Sequence, residues 1–289
     1  MAFTSRRTNI TIIMFTDPFM QRALLAALFL APLCALLGVF VVARRMAFFS
    51  DTVSHSALAG VALGFWFGFV DPTLTMIGFS IIIAAAMIWL KENTELLTDT
   101  IMALLLSGSV ALGVTILSLL KSGNYQSELN RYLFGDIVAI GWEDVWTGAG
   151  LLAIVGVGIF WQLSSLTLLA AQEDMAHVCG VPVKRLNYVF VFVLTLTVAM
   201  SIRLLGIILV TSLIVIPPAA ARNLSRNLRQ HVLLSVLIGL IGGISGTLLS
   251  YQLDVPCGSA IVLTSIAIFL LTLIAGRFLP EKTFKPAPR

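Results

Sequence analysis

Nine stretches of the chain are apolar for long enough to cross a bilayer, at about 20–43, 46–70, 73–90, 100–120, 143–163, 187–202, 204–221, 232–251 and 257–276. A spanning helix needs about 20 mostly apolar residues for a hydrocarbon core about 30 Å thick. Of the 289 residues only 11% are charged and 58% are hydrophobic, whereas a soluble domain carries about 25% charged residues. Long runs separated by short polar loops mean helices and not a barrel, because only helices satisfy their backbone within one segment. The pattern predicts an all-α polytopic membrane bundle of about eight or nine helices. It divides into a tail at 1–19, one transmembrane domain at 20–278 and a C-terminal tail at 279–289. The least defined boundary is Arg203, where two short runs make either two crossings or one broken pair. The first run is long enough to span and is read as a retained helix, not a cleaved leader.

The second run is the unusual one. Residues 44–68 read RRMAFFSDTVSHSALAGVALGFWFG, apolar overall yet carrying Asp51 and His55. Four residues apart, the two stack on one face of a helix. An ionisable side chain near the bilayer centre costs roughly 2.5–3.5 kcal/mol on insertion scales, so it faces a cavity or partner and marks function by default. A carboxylate and an imidazole make half a shell for a borderline divalent cation such as zinc. With the helix starting just after Arg44 and Arg45, His55 lies about 14–15 Å along the axis, near the midplane. Beside that face Ser56, Gly60, Gly64 and Gly68 form a ladder of small residues, expected to admit a second helix at close range.

Lys and Arg set the orientation. With the C-terminus inside, twelve lie on inner segments (Arg44, Arg45, Lys91, Lys184, Arg185, Arg222, Arg226, Arg229, Arg277, Lys282, Lys285, Arg289) and six outside (Arg6, Arg7, Arg22, Lys121, Arg131, Arg203). This favours an outer N-terminus, although Arg6 and Arg7 pull toward an eight-span arrangement with both ends inside. The net charge of +4 reflects these loops and says nothing for nucleic acid. Cys34, Cys179 and Cys257 are far apart, form no C-x-x-C and read as small apolar fillers. No G-x-x-x-x-G-K-[ST] occurs, so ATP-driven transport would need another subunit; no H-E-x-x-H occurs, and hydrolytic chemistry is weakly supported.

Asp99 opens the fourth run in TDTIMALLL, either as a first-turn carboxylate favoured by the helix dipole or as a polar partner for Asp51. The stretch 121–142 is the long outer loop; Tyr132, Leu133, Phe134 and Trp142 suit an interfacial segment, and Glu128, Asp136, Glu143 and Asp144 are solvated charges or a docking point. The inner loop 172–187 is helix-like to His177 and breaks at Gly180 and Pro182. The loop 222–231 is short and basic, with His231 at a helix end. Pro217 and Pro218 interrupt helical bonding in 206–222, which a membrane tolerates only where the freed groups find partners. Gly239, Gly242, Gly243 and Gly246 read as a packing surface.

These blocks resemble, in order, those of the permease subunits of bacterial zinc, manganese and iron ABC importers. The resemblance rests on RRMAFFSDTVSHSALAGVALG, TDTIMALLL, YLFGDIVAIGWEDV, the A-x-x-x-G of Ala176 to Gly180, and GIILVTSLIVIPPAAA, and covers about 18–278. It is strongest to the zinc branch: many manganese members carry Pro-Gly where Ala59 and Gly60 stand here. The resemblance implies a vitamin-B12-importer-like (type II) ABC permease in the bacterial inner membrane, moving Zn²⁺ as substrate with no resident cofactor and no ATPase activity of its own. It implies as partners a second copy of the chain, a cytoplasmic ATPase and a periplasmic zinc-binding protein. It places a transient metal site at Asp51 and His55, with Asp99 a weaker candidate, and ATPase coupling at Ala176, Gly180, Arg222 and Arg226. Manganese or iron transport, or a gradient-driven metal transporter, are the alternatives.

Overall fold

The computed structural model describes residues 18–69, 71–120, 132–133, 135, 141–253 and 255–278. Helices run α1 Pro18–Ala43, α2 Ala47–Trp66, α3 Thr73–Asn93, α4 Thr98–Leu119, α5 Trp142–Trp161, α6 Leu163–Ala171, α7 Glu173–Val178, α8 Val183–Leu205, α9 Ile207–Leu224, α10 Leu228–Leu253 and α11 Cys257–Phe278. Nine of these have 18 residues or more, and eight of the nine are also apolar enough to cross a membrane. The chain is therefore a multi-pass membrane protein. The exception is α2, in which Ser50, Asp51, Thr52, Ser54, His55 and Ser56 follow one another closely. The bundle tolerates it because protein surrounds it: α2 packs mainly on α3 and α4, with α8 and α9 beside it. The tails and most of 121–140, including Glu128, Phe134 and Asp136, lie outside the described residues.

Two sets of contacts show which helix ends lie together. Tyr188 donates its hydroxyl to Glu92 Oε2 at 3.0 Å. The Arg44 guanidinium hydrogen-bonds Asn187 and lies over the Phe190 ring, 5.2 Å from its centroid. The ends of α1 and α3 and the start of α8 thus share one face. At the opposite face Arg203, in the last turn of α8, lies 3.8 Å from the Asp71 carboxylate and 3.4 Å from Thr73 Oγ1 at the start of α3. Hydrogen bonds from the Thr73 hydroxyl and amide hold the Asp71 carboxyl below the usual carboxylate range, and Arg203 adds to this. Among the described residues the first face gathers Arg44, Arg45, Lys91, Lys184, Arg185, Arg222, Arg226, Arg229 and Arg277, and the second Arg22 and Arg203. The positive-inside rule assigns the first face to the cytoplasm.

In lipid, burying apolar surface does not drive helices together, so close packing must. The small residues supply it. A Cβ at Gly60 would meet the Met76 Cα at 2.7 Å, and one at Gly64 the Thr75 hydroxyl at 2.4 Å, so α3 lies directly on these two rungs. Ser56 is buried there, its hydroxyl turned back to the Val53 carbonyl at 2.7 Å. Gly68 is not part of the ladder: α2 ends at Trp66, and Gly68 turns the chain at φ +76° with nothing within 4 Å of a Cβ position. On α10, Gly239 and Gly243 face Ala35 and Ala31 of α1, while Gly246 faces the Ile261 backbone of α11. That helix is thus wedged between two neighbours.

The closest approach involves Gly38, which composition does not single out. A Cβ there would stand 1.9 Å from the Ile214 carbonyl oxygen and 2.8 Å from Pro218 Cγ. Pro218 has no N–H to answer that carbonyl, so α1 crosses α9 over the rung that the prolines leave open. One turn on, His231 Nε2 lies 3.0 Å from the Pro218 carbonyl oxygen and ties α10 to the same stretch. The helix α9 runs through both prolines without ending.

Two expectations shift. The chain does not break at Arg203: α8 continues to Leu205, and Gly206 alone, at φ +80°, joins it to α9. Tyr132 is not interfacial but buried in the main core cluster, with Leu133 packed against it. Trp142, by contrast, is exposed as expected at the start of α5.

Candidate functional site

The stacking of Asp51 and His55 follows from helical spacing, and the structure keeps α2 regular through both. They lie on the one face of α2 that neighbours leave partly open. Phe48 is exposed, and Asp51, His55 and Leu58 are half-buried, while Ser50, Thr52, Val53, Ser54, Ser56 and Ala57 are buried. His55 sits eight residues from the helix start at Ala47, or about 12 Å along the axis at 1.5 Å per residue. The His55 ring lies within electrostatic reach of the Asp51 carboxylate. Thr211 of α9 stands near the same carboxylate, its hydroxyl turned to the Ile208 carbonyl at 3.3 Å. Thr211 and Ser212 are half-buried on the open side of α9, in line with Val215 and Ala219.

The opposite side of α2 holds the scaffold. The Thr52 hydroxyl shares its one proton between the Phe48 carbonyl at 2.9 Å and the Met102 carbonyl of α4 at 3.2 Å, which ties α2 to α4 one residue from Asp51. The pair therefore projects from a helix fixed behind it, facing outward between α2 and α9.

Asp99 lies in the first turn of α4 and is exposed. Among the described residues no three His, Cys, Asp or Glu side chains come together. One chain therefore offers a carboxylate and an imidazole, which is half of a closed four-ligand zinc shell. Such a half-shell suits passage of an ion and not its storage.

Both cytoplasmic loops are ordered by local bonds. The short helix α7 ends in a turn in which the Val181 N–H returns to the Ala176 carbonyl at 3.0 Å and the Gly180 N–H to His177 at 3.1 Å. This requires Gly180 at φ +75°, a conformation that glycine adopts without strain. Ala176 is fully buried under the turn, and Gly180 is exposed at its tip. Between α9 and α10, Asn227 Oδ1 accepts the Gln230 N–H at 2.9 Å, and Gln230 Oε1 accepts the Arg226 N–H at 3.1 Å. Arg222 and Arg226 are exposed there.

Sequence reasoning located the acid–imidazole pair and both loops, but not Thr211 or Gly38. Thr211 sits in an unbroken apolar run and becomes notable only when α9 is placed against α2.

Comparison with known proteins accounts for almost the whole chain. It is 36% identical over 253 residues to the "high-affinity zinc uptake system membrane protein ZnuB" of Haemophilus influenzae, covering 87% of this chain and 95% of that one. It is 30% identical to the "manganese import system permease protein ScaB" of Streptococcus gordonii, covering 91% and 95%. The solved PsaBC of Streptococcus pneumoniae, in complex with Fab, superposes with a TM-score of 0.81 at 28% identity, over 95% of this chain and 96% of that one. Residues 16–276 match the ABC 3 transport family, and the chain belongs to it.

Proposed function

We propose that this chain is the permease subunit of an ABC importer that carries Zn²⁺ inward across the bacterial inner membrane. The observation that carries the reading is the Asp51–His55 pair on the open face of α2, the one long helix among the described residues that is not apolar enough to count with the other eight. A cation handed over at the outer face by a binding protein rests briefly at that pair. A second copy of the chain, placed against the open faces of α2 and α9, would complete the shell and enclose the path. The exposed elements around Gly180, with Ala176 beneath them, and around Arg222 and Arg226 receive a cytoplasmic ATPase. ATP hydrolysis there shifts them and switches access. Asp99, exposed in the first turn of α4, is the lesser candidate for a metal contact.

Zinc is favoured over manganese by the higher identity to the zinc relative, 36% against 30%, and by an imidazole in the pair, a ligand that suits zinc well. The deciding experiment is metal analysis of cells lacking the protein, starved for zinc, manganese and iron in turn. The expected result is a deficit and growth defect confined to zinc limitation; a defect confined to manganese would reassign the substrate within the same family.

The coupling role has its own test. Proline fixes φ near −65°, so Gly180→Pro cannot form the turn at φ +75°. Zinc uptake is expected to fall while the variant stays inserted at the parental level in membrane fractions. Uptake at the parental rate would remove Gly180 from the docking surface.

A further inference from the structure

A groove runs along the outside of the bundle in its cytoplasmic half. It has a volume of about 210 Å³ and lies among α1, α5, α6 and α8. Leu37, Ile159, Leu166, Leu186 and Phe190 form its floor, all of them buried. Ile154, Gly158 and Val189 form its mouth, all exposed, and a Cβ at Gly158 would meet nothing within 4 Å. An apolar cavity of about 150 Å³ already takes up a benzene ring, and an apolar group that enters such a space gains dispersion contacts.

The mouth opens toward lipid. On α5, Trp142 and Trp146 are exposed at the outer end and Trp161 at the inner end, with Ile154 and Val157 exposed between them. A span with tryptophan at both interfaces and an apolar surface between faces the bilayer. From Ile154 to Gln162 the groove follows α5 for eight residues, or about 12 Å, most of the roughly 15 Å that one leaflet contributes to the hydrocarbon core. Its inner end is basic. Arg185, Val189 and Val193 recur every fourth residue on α8 and so share one face. Arg185 therefore stands one turn inward of the groove wall, with Lys184 beside it, and both are exposed. The Arg44 guanidinium lies over the ring of Phe190, a floor residue. The acidic Glu173 and Asp174 of this end belong to α7, which is not among the elements that line the groove.

We propose that the groove binds one anionic phospholipid of the inner leaflet: an acyl chain lies between α5 and α8, and Arg185 and Lys184 hold the headgroup phosphate. An apolar slot one leaflet deep beneath a basic rim matches such a lipid in both length and charge. The proposal stands apart from the cation site and does not depend on which metal is carried.

The test is native mass spectrometry of the full-length protein in detergent, offered phosphatidylglycerol or phosphatidylcholine with identical dioleoyl chains, or glycerol phosphate without chains. A basic group near an anionic surface is worth about fivefold in affinity. The parent is therefore expected to retain one phosphatidylglycerol roughly 25-fold more tightly than phosphatidylcholine. Arg185→Gln should lower that preference about fivefold, and Arg185→Gln with Lys184→Gln should abolish it. Gly158→Leu places a side chain in the groove from its own wall and should reduce phosphatidylglycerol retention to the phosphatidylcholine level, at an unchanged or raised thermal midpoint. Equal retention of the two lipids by the parent would overturn the proposal, as would full retention by Gly158→Leu or by the double glutamine variant. Binding of glycerol phosphate as tight as that of the lipid would also overturn it, since the groove would then play no part. Loss of dimer in Gly158→Leu with lipid retention intact would instead give the groove to a second copy of the chain.

Discussion

Alanine at Asp51 or at His55 is expected to reduce zinc uptake about 100-fold or more, the upper range for weakening a metal site, with no loss of protein from the membrane. The second half of that expectation is what makes it diagnostic. Both side chains are half-buried on α2, the helix that falls short of the apolarity of its eight long neighbours. Removing a charge from such a helix relieves an insertion cost of roughly 2.5–3.5 kcal/mol, so the variants should insert at least as well as the parent. Lost uptake at normal abundance would mean that a favourable change for folding is unfavourable for passage. Because the pair acts as one unit, the double variant should be scarcely worse than either single one. Asp51→Asn keeps the volume and removes the charge, and should resemble Asp51→Ala. Radiolabelled uptake with quantified membrane levels checks all four; parental rates in both single variants would remove the site.

The second large effect is structural. Gly38→Ala should destabilise the bundle by about 3 kcal/mol, the upper end of what overpacking usually costs. The new methyl would stand 1.9 Å from the Ile214 carbonyl oxygen and 2.8 Å from the Ile214 carbonyl carbon. Both atoms are backbone in a helix already lacking an answering N–H at Pro218, so neither can turn aside as a side chain would. The helices α1 and α9 must separate, and α1 also carries the contacts to α10. A lowered thermal midpoint in detergent and reduced membrane yield would show it. Gly78→Ala is the control, since nothing lies within 4 Å of a Cβ there; helix propensity alone predicts a gain of up to about 1 kcal/mol. Equal midpoints for both variants would contradict the close crossing.

The apolar runs were legible because each is a property of consecutive residues. The run expected at 232–251 appears as Leu228–Leu253, and that at 257–276 as Cys257–Phe278. Where the sequence misled, a charge had been weighed as a boundary. Arg203 looked like the end of a span, yet α8 passes it, because its guanidinium reaches Asp71 and Thr73 at the outer rim. The true end lies at Gly206, where φ is positive. Gly60 and Gly64 were legible from their spacing, but Gly68 shares that spacing and does something else, since periodicity does not reveal where a helix stops. Asp51 and His55 were legible because polar atoms are costly in lipid. Thr211 and Gly38 were not: a hydroxyl or a missing Cβ becomes meaningful only through what another helix brings within reach.

The single residue between α8 and α9 has a mechanical consequence. A linker of several residues would spread any change of angle between the two helices; here it falls on the backbone torsions of Gly206 alone, at φ +80°. One helix meets Asp71 at the outer rim through Arg203, and the other ends in the basic turn at Arg222. A change of angle at that one joint would therefore be felt at both ends, at the Arg203–Asp71 contact and at the turn after Arg222.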